Sequence, residues 1–229
     1  MGRYDLIFDA DDTLWEETLF FERATAAFVD YLDHPTLSPA EVRAILDDIE
    51  RANAAVHGYG AAVFERSLTE CLERLRPDTP VNDADRALLR SFREIITERE
   101  LELIVGVEET LHALGARHRL FLLTKGYEDV QRRKIEASGL AYLFAGIGIV
   151  PEKDPRAYHS FAATEGLEPA ATWMIGNSPK SDIWPALKAG MGAVLVPNPM
   201  TWVLEQDDLP ENHDRFHTVS PIGKLTEIF

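Results

Sequence analysis

The second half of the chain alternates short apolar segments with amphipathic ones, and this alternation limits the possible folds more than any other feature. Beyond Gly106 the apolar segments have the length of strands, and the segments between them have helical spacing. This pattern is typical of βαβ units, which build a parallel sheet covered by helices. The predicted strands are residues 120–123, 146–150, 172–175 and 193–196, and the predicted helices are residues 108–114, 129–138, 155–165 and 182–189.

A further strand is predicted at the start of the chain. Residues 4–8 form an apolar run that stops at Asp9, which is typical of a buried strand with polar groups at its carboxyl end. A short run near Phe216 and a helical pattern over residues 221–228 predict a last strand and a last helix. The sequence therefore predicts an α/β fold built on a parallel sheet.

Residues 16–100 have a different character, because helical spacing replaces the short apolar runs. A helix start is marked by Ser38-Pro39-Ala40-Glu41, which combines capping-box spacing with proline at the first helical position. Gly58-Tyr59-Gly60 interrupts the helical pattern. We therefore predict a core formed by residues 1–15 and 101–229, and an all-helical unit formed by residues 16–100. One side of its first helix is predicted to carry Phe20, Phe21, Ala24, Phe28 and Leu32.

The chain is strongly acidic, with 39 Asp and Glu residues, 23 Lys and Arg residues and a formal net charge of −16. Nonspecific nucleic-acid binding depends mainly on clustered Lys and Arg, so we expect no nucleic-acid partner. The same charge would repel an anionic substrate at long range. Any phosphate site must therefore be neutralised locally by a metal ion, Lys or helix N-termini.

Signals for membrane insertion and secretion do not develop in the sequence. The apolar runs have the length of strands, and the run at residues 4–8 ends at Asp9 before a secretory segment could form. The single Cys71 cannot build a disulfide framework. We therefore predict a cytoplasmic protein with no membrane partner, and the sequence leaves the oligomeric state open.

Polar residues follow four of the predicted strands where each strand ends. Ligands of an open parallel sheet bind at the carboxyl ends of its strands, so these side chains are expected to converge. The residues are Asp9, Asp11, Asp12 and Thr13 after the first strand, Thr124 and Lys125 after the second, Lys153 after the third, and Asn177 and Asp182 after the fourth.

Two carboxylates separated by one residue, Asp9 and Asp11, would repel each other if no cation lay beside them. A divalent ion is therefore expected, and Mg²⁺ suits a site rich in oxygen ligands. A carboxylate can attack a phosphoryl group, and a second carboxylate can protonate the leaving oxygen and later recover the proton from water. Thr and Lys side chains can hold the remaining phosphoryl oxygens as charge develops.

The order and type of these residues resemble the four motifs of the haloacid dehalogenase superfamily. Phe8-Asp9-Ala10-Asp11-Asp12-Thr13-Leu14 is similar to its D-x-D-x-T motif, and Leu123-Thr124 is similar to its second motif. Lys153, within Glu152-Lys153-Asp154-Pro155, is similar to the third, and Gly176-Asn177 with Asp182 to the fourth. The resemblance spans nearly the whole chain. It implies a three-layer Rossmann-like core with an all-helical cap inserted between the first two motifs.

The resemblance also implies a role for each residue that matches a motif. Asp9 would be the nucleophile and a metal ligand. Asp11 would be the general acid and base, and its backbone carbonyl would bind Mg²⁺. Thr124 and Lys153 would bind the substrate phosphate, and Asp182 would ligate the metal directly or through water.

Two positions depart from the pattern of the family. Many members have Asp where this chain has Asn177, which removes one negative charge from the metal site. Metal affinity is then weaker, or Asp182 carries more of the coordination. Thr124 is followed by Lys125, where relatives often have Asn. This additional cation either helps to bind the substrate phosphate or faces solvent.

The predicted function is therefore that of a Mg²⁺-dependent phosphatase acting on a small phosphorylated metabolite through an aspartyl phosphate on Asp9. One alternative is a 2-haloacid dehalogenase, but the displacement of halide needs no acid, so Asp11 counts against it. Another is a phospho-accepting signalling domain, which is about half this length and lacks a helical insertion. A catalytically silent relative is the third alternative, and Asn177 is its only support.

Overall fold

The computed structural model describes residues 2–229, which form two compact units. The first contains the chain up to Glu16 together with Leu101–Phe229, and the second is Glu17–Glu100. The first unit holds every strand of the described sheet, whereas the described secondary structure of the second consists of helices.

A six-stranded parallel sheet forms the centre of the first unit. The α/β class with a Rossmann-like parallel sheet is confirmed. The strands are β1 Asp5–Phe8, β2 Arg119–Lys125, β3 Gly146–Val150, β4 Thr172–Gly176, β5 Gly192–Leu195 and β6 Phe216–Thr218. Their order across the sheet is β3-β2-β1-β4-β5-β6. The α-helices of the first unit are numbered after the four of the second unit. They are α5 Val107–Gly115, α6 Glu128–Ser138, α7 Pro155–Glu165, α8 Trp184–Lys188 and α9 Leu225–Ile228.

Strand β1 lies in the middle of the sheet and is buried on both faces. Successive side chains of a strand point to opposite faces, so Leu6 and Phe8 pack in one apolar core and Ile7 packs in the other. Phe8 pairs with Leu122 of β2 and with Ile175 of β4. This register brings the carboxyl ends of three strands to one edge of the sheet.

Most of the predicted elements are present with small shifts at their ends. The strand 146–150 and the helix 155–165 have the predicted bounds. The predicted helix 182–189 is wrong in its first turn, where the chain forms a π-helical turn, Pro179–Ile183. The reason is Pro185, which has no N–H and is tolerated only in the first turn of an α-helix. The α-helix therefore begins at Trp184.

The second unit consists of helices packed around their own apolar core. Phe28, Leu46 and Leu68 are fully buried in this core, together with Cys71. Phe21 was predicted on the apolar side of the first helix, but its side chain is only half-buried. It packs edge-on against Phe64. The helices are α1 Thr18–Leu32, α2 Pro39–His57, α3 Ala61–Leu75 and α4 Asp83–Thr97.

Two of these helices begin with a capping box, which satisfies backbone N–H groups that have no partner inside the helix. Ser38 and Glu41 form the predicted box at the start of α2. At the start of α4, Asn82 Oδ1 accepts hydrogen bonds from the backbone N–H groups of Ala84 at 2.8 Å and Asp85 at 3.0 Å. The Asp85 carboxylate accepts from the backbone N–H of Asn82 in return.

Of the helices within residues 2–229, none combines the length and the apolar character that a membrane span requires.

We predict that Asn82→Ala lowers the free energy of unfolding by about 1 kcal/mol, because two N–H groups at the start of α4 lose their acceptor. Urea unfolding followed by far-ultraviolet circular dichroism measures the change. Asn82→Ser is the matched control, because its hydroxyl can still cap the helix. An equal loss in both variants would contradict the capping role.

Candidate active site

Asp9 lies directly after the central strand and extends its pairing, since its backbone N–H donates to the carbonyl of Ile175 at 2.9 Å. The side chain is buried. Asp9 Oδ2 lies 3.1 Å from the hydroxyl of Thr13, and the same hydroxyl lies 3.2 Å from Asn177 Oδ1. Thr13 thus joins the ends of β1 and β4 through its single proton.

Lys153 lies between two carboxylates in the interior of the unit. Its ammonium group contacts Asp9 Oδ1 and donates to Asp182 Oδ1 at 2.8 Å. All three side chains are buried. Burial opposes the charge of Lys153, but the neighbouring carboxylates of Asp182 and Asp9 outweigh it and raise the pKa of the lysine. Lys153 is therefore a permanent cation at this position.

Burial raises the pKa of Asp9 above its ordinary value, because the charged carboxylate is removed from water. The ammonium group of Lys153 opposes this increase, whereas the carboxylates of Asp182 and Asp11 add to it. The nucleophile predicted from the sequence thus lies where an additional positive charge would favour its ionised form.

Asp182 is fully buried and is held by backbone as well as by Lys153. Its Oδ2 accepts a hydrogen bond from the backbone N–H of Ser178 at 2.9 Å. A Cβ atom on Gly176 would lie only 2.2 Å from the same oxygen. The absence of a side chain at Gly176 is therefore what allows the carboxylate to reach the strand end.

Asp11 points to a different set of partners. Both of its carboxylate oxygens accept from Lys134 Nζ at 2.8 Å, and Trp15 Nε1 donates to Oδ1 at 2.7 Å. Gln131 Nε2 donates to Oδ2 at 3.0 Å. Burial opposes ionisation of Asp11, but the charge and hydrogen bond of Lys134, with the bonds of Gln131 and Trp15, lower its pKa.

Thr124 is buried at the end of β2, and its hydroxyl oxygen accepts from Gln131 Nε2 at 2.6 Å. The same nitrogen lies 3.0 Å from the backbone carbonyl of Lys125 and 3.0 Å from Asp11 Oδ2. Gln131 therefore connects the ends of the first two strands along the chain.

Lys125 is largely buried, and its ammonium group forms an ion pair with Glu205. It also lies 3.2 Å from the hydroxyl of Ser181 and 3.5 Å from the carboxylate of Glu152. Burial opposes ionisation of Glu205, but Lys125 and the hydroxyls of Ser181 and Ser178 lower the pKa of this carboxyl. Phosphate binding by Lys125 remains a prediction, and it would compete with this ion pair.

The predicted residues thus occupy three connected groups at one edge of the sheet. Asp9, Lys153, Asp182 and Asn177 gather around the end of β1 and β4, Asp11 and Thr124 share Gln131, and Lys125 pairs with Glu205.

Several residues of this site were not predicted. Gln131 and Lys134 are three residues apart on α6, a spacing that places both on one helix face towards the preceding strand end, so a search of that face could have found them. Asn198, Thr201 and Glu205 belong to a segment without helical or strand periodicity, and the sequence contains no signal that identifies them.

The donor atoms of the site suit a magnesium ion. The described residues contain no cluster of three or more acidic, His or Cys side chains that could hold a metal by themselves. Mg²⁺, however, is usually bound by one or two carboxylates and keeps several waters. The carboxylates of Asp9 and Asp182 and the side-chain carbonyl of Asn177 form a set of this kind.

Comparison with known proteins identifies the family. A family model described as haloacid dehalogenase-like hydrolase matches residues 6–190, which is well over half of the chain. The protein therefore belongs to the haloacid dehalogenase-like hydrolases.

Three known proteins are similar to this chain. A phosphoserine phosphatase from Thermus thermophilus is 29% identical, and the alignment covers 82% of this chain and 90% of that protein. The structure of a haloacid dehalogenase-like family hydrolase from Xanthomonas campestris has a TM-score of 0.83 at 27% identity, covering 99% of this chain and 94% of the other. The structure of a 2-haloacid dehalogenase from Pseudomonas syringae has a TM-score of 0.60 at 23% identity, covering 100% and 98%.

We predict that Gly176→Ala lowers the free energy of unfolding by about 1–3 kcal/mol, because the new methyl group collides with the buried Asp182 carboxylate. Gly115→Ala is the matched control, since its Cβ would meet Leu120 at an ordinary 3.4 Å and alanine favours the helix. Urea unfolding of both variants measures the difference. Equal stabilities would show that Asp182 has room to move.

We predict that the carboxyls of Asp9 and Asp11 titrate on opposite sides of the ordinary aspartate range in the metal-free protein. As the pH falls from neutral, Asp9 is protonated at a higher pH than an ordinary aspartate, because burial raises its pKa. Asp11 is protonated at a lower pH than an ordinary aspartate, because Lys134 outweighs burial and lowers its pKa. Side-chain ¹³C nuclear magnetic resonance measures both, with Asp9→Asn and Asp11→Asn for assignment.

The same shifts determine how each group affects stability. Ionisation of Asp9 lowers stability as the pH rises between its unfolded and its raised folded pKa. Asp11 contributes stability that is present above its unfolded pKa and is lost as the pH falls through the lowered folded value. A common midpoint for the two carboxyls would contradict this assignment.

Proposed function

We propose that the protein is a Mg²⁺-dependent phosphatase that hydrolyses a small phosphorylated metabolite through an aspartyl phosphate on Asp9. The observation that carries the proposal is the buried cluster of Asp9, Lys153 and Asp182 at the carboxyl end of the central strand. A buried carboxylate beside a permanent cation is suited to meet an anionic phosphoryl group, because the cation offsets the charge of both.

In the first step, a carboxylate oxygen of Asp9 attacks phosphorus and the bond to the leaving oxygen breaks. Lys153 and Thr124 are the proposed ligands of the remaining phosphoryl oxygens. Lys153 already contacts Asp9, so a phosphoryl group that reaches Asp9 also meets its ammonium group. Thr124 can donate its own hydroxyl proton, because its hydrogen bond with Gln131 uses the oxygen as the acceptor.

Asp11 is the proposed acid and base of the reaction. As an acid it gives a proton to the leaving oxygen, and as a base it takes a proton from the water that hydrolyses the aspartyl phosphate. Lys134 stabilises the ionised form of Asp11, which is the form required for the second step. The first step requires a protonated Asp11, and any movement of Lys134 away from it would favour that form.

Asp9, Asp182, the side-chain carbonyl of Asn177 and the backbone carbonyl of Asp11 are the residues proposed to hold Mg²⁺. When bound, the ion would offset the charge that the carboxylates and the phosphate bring together. The protein has only two acidic side chains in the Lys153 cluster, and Asn177 supplies a neutral oxygen where many relatives supply a charged one.

The proposed substrate class is supported by the relative from Thermus thermophilus, whose name assigns it a small phosphorylated amino acid. The net charge of −16 makes a nucleic-acid partner unfavourable. The proposed location is the cytoplasm, in keeping with a single buried thiol, Cys71, that has no disulfide partner in this chain.

A 2-haloacid dehalogenase activity is the nearest alternative, since a dehalogenase shares the fold. Halide departs as an anion and needs no proton, so that reaction gives Asp11 no task as an acid. The presence of Asp11 two residues after Asp9 therefore favours phosphoryl transfer over dehalogenation.

We predict Mg²⁺-dependent release of phosphate from at least one member of a panel of sugar phosphates, nucleoside monophosphates, phosphoglycolate, phosphoserine and an aryl phosphate. Asp9→Asn should reduce kcat by about 10³-fold or more, because the amide is not a nucleophile. Asp12→Asn is the control, since it removes a charge from the same loop at a left-handed position that Asn tolerates. Phosphate release and halide release from a 2-chloro acid are measured side by side.

Equal turnover by the wild type and Asp9→Asn would refute the covalent mechanism. Release of halide without release of phosphate would support the dehalogenase alternative.

A further inference from the structure

A tight turn after β5, formed by residues 198–201, lies against the strand ends that carry the site. The backbone N–H of Thr201 donates to the carbonyl of Asn198 at 3.0 Å. The hydroxyl of Thr201 donates to the same carbonyl at 2.9 Å, and the backbone N–H of Met200 donates to Asn198 Oδ1 at 2.8 Å. These three bonds give the turn a definite shape.

The turn makes one hydrogen bond to each of two strand-end loops. Asn198 Nδ2 donates to the backbone carbonyl of Asp12, in the loop of the proposed nucleophile, at 3.3 Å. Asn177 Nδ2 donates to the hydroxyl oxygen of Thr201 at 3.2 Å. The turn therefore touches the side chain of Asn177 on the side away from Thr13.

The direction of these hydrogen bonds follows from the number of protons available. A threonine hydroxyl has one proton, and Thr201 gives it to the carbonyl of Asn198. Towards Asn177 the hydroxyl can then only accept, so it selects the NH₂ end of the amide. The carbonyl end of Asn177 is consequently turned towards Thr13, which lies beside Asp9.

We propose that Thr201 is a positioning residue that keeps the side-chain carbonyl of Asn177 directed at the cation position beside Asp9. The inference rests on the proposed function, in which that carbonyl is a ligand of Mg²⁺. An amide in the opposite orientation would present NH₂ to the cation, and NH₂ has no lone pair available for a metal. The hydroxyl of Thr201 prevents that orientation.

The same hydrogen-bond chain accounts for the departure from the family pattern at Asn177. An aspartate at this position has no proton to offer Thr201. Thr201 would then have to withdraw its own proton from the carbonyl of Asn198, and the turn would lose one of its three internal bonds. Asn177 and Thr201 are therefore matched to each other.

The test compares Thr201→Val, which keeps the shape but removes the hydroxyl, with Thr201→Ser, which keeps the hydroxyl. Mg²⁺ alone is titrated into the full chain by isothermal titration calorimetry. We expect Thr201→Val to weaken binding by about 3- to 10-fold, the effect of losing one orienting hydrogen bond, and Thr201→Ser to bind within about twofold of the wild type. Thermal unfolding of each variant checks that the fold is retained.

A second measurement needs no metal. The side-chain NH₂ signal of Asn177 is assigned by its loss in Asn177→Ala, and it should shift in Thr201→Val but keep its position in Thr201→Ser. In the Asn177→Ala background, Thr201→Val should change Mg²⁺ affinity by less than about twofold, because the residue through which Thr201 acts is gone.

The outcomes separate this inference from the proposed function. If the wild type binds Mg²⁺ and Thr201→Val binds it equally well, the positioning role is overturned and the proposed phosphatase is unaffected. If the wild type binds no Mg²⁺, the metal requirement of the proposed function fails and the ligand role of Asn177 fails with it. An unchanged NH₂ signal in Thr201→Val overturns the hydrogen-bond chain in either case.

Discussion

The buried ammonium group of Lys153 is the interaction on which the rest of the site depends. Two carboxylates, those of Asp9 and Asp182, are removed from water beside it. Each would be strongly disfavoured as an anion without a neighbouring cation, and removal of one partner from a buried ion pair typically costs about 3–5 kcal/mol. Lys153 therefore holds together the loop before α7 and the ends of β1 and β4, which come from distant parts of the chain.

The sheet makes this arrangement possible because its parallel register brings strand ends to the same level. Phe8 pairs with both Leu122 and Ile175, so the residues that follow these strands leave the sheet side by side. Gly176 then leaves the space that the carboxylate of Asp182 occupies. A single β-carbon at this point would lie 2.2 Å from Oδ2 of this carboxylate, so the acid would have to shift.

Although the chain is strongly acidic, positively charged side chains lie at the strand ends where the proposed site is found. An overall charge of −16 opposes the approach of an anion, yet three lysines, Lys125, Lys134 and Lys153, lie at the strand ends. Lys134 is paired with one carboxylate, and Lys125 and Lys153 each lie beside two, so these lysines offset most of the local negative charge without leaving an excess of positive charge. These ion pairs reduce the local negative charge, and the proposed Mg²⁺ would reduce it further.

The accuracy of the sequence predictions varied with the strength of local signals. The helix 155–165 was predicted to the residue, because Asp154 caps it and Pro155 occupies its first turn. The helix 182–189 was wrong at its start, because Pro185 is tolerated only in the first turn of an α-helix, which therefore begins at Trp184. The sequence left open whether Lys125 binds the substrate phosphate or faces solvent. Its ion-pair partner Glu205 could not be predicted, because it lies 80 residues away along the chain.

By itself the sequence determined the α/β class, the position of the central strand and the acidic motif at its end, because these depend on local periodicity and on residues close together in the chain. The tertiary structure decided the partner of each polar group. Asp11 meets Lys134 across 123 residues, and Asn177 meets Thr201 in a turn without any periodic pattern. Hydrogen bonds and ion pairs act over a few ångströms, so only the folded arrangement of the loops can select among the many donors and acceptors that the sequence contains.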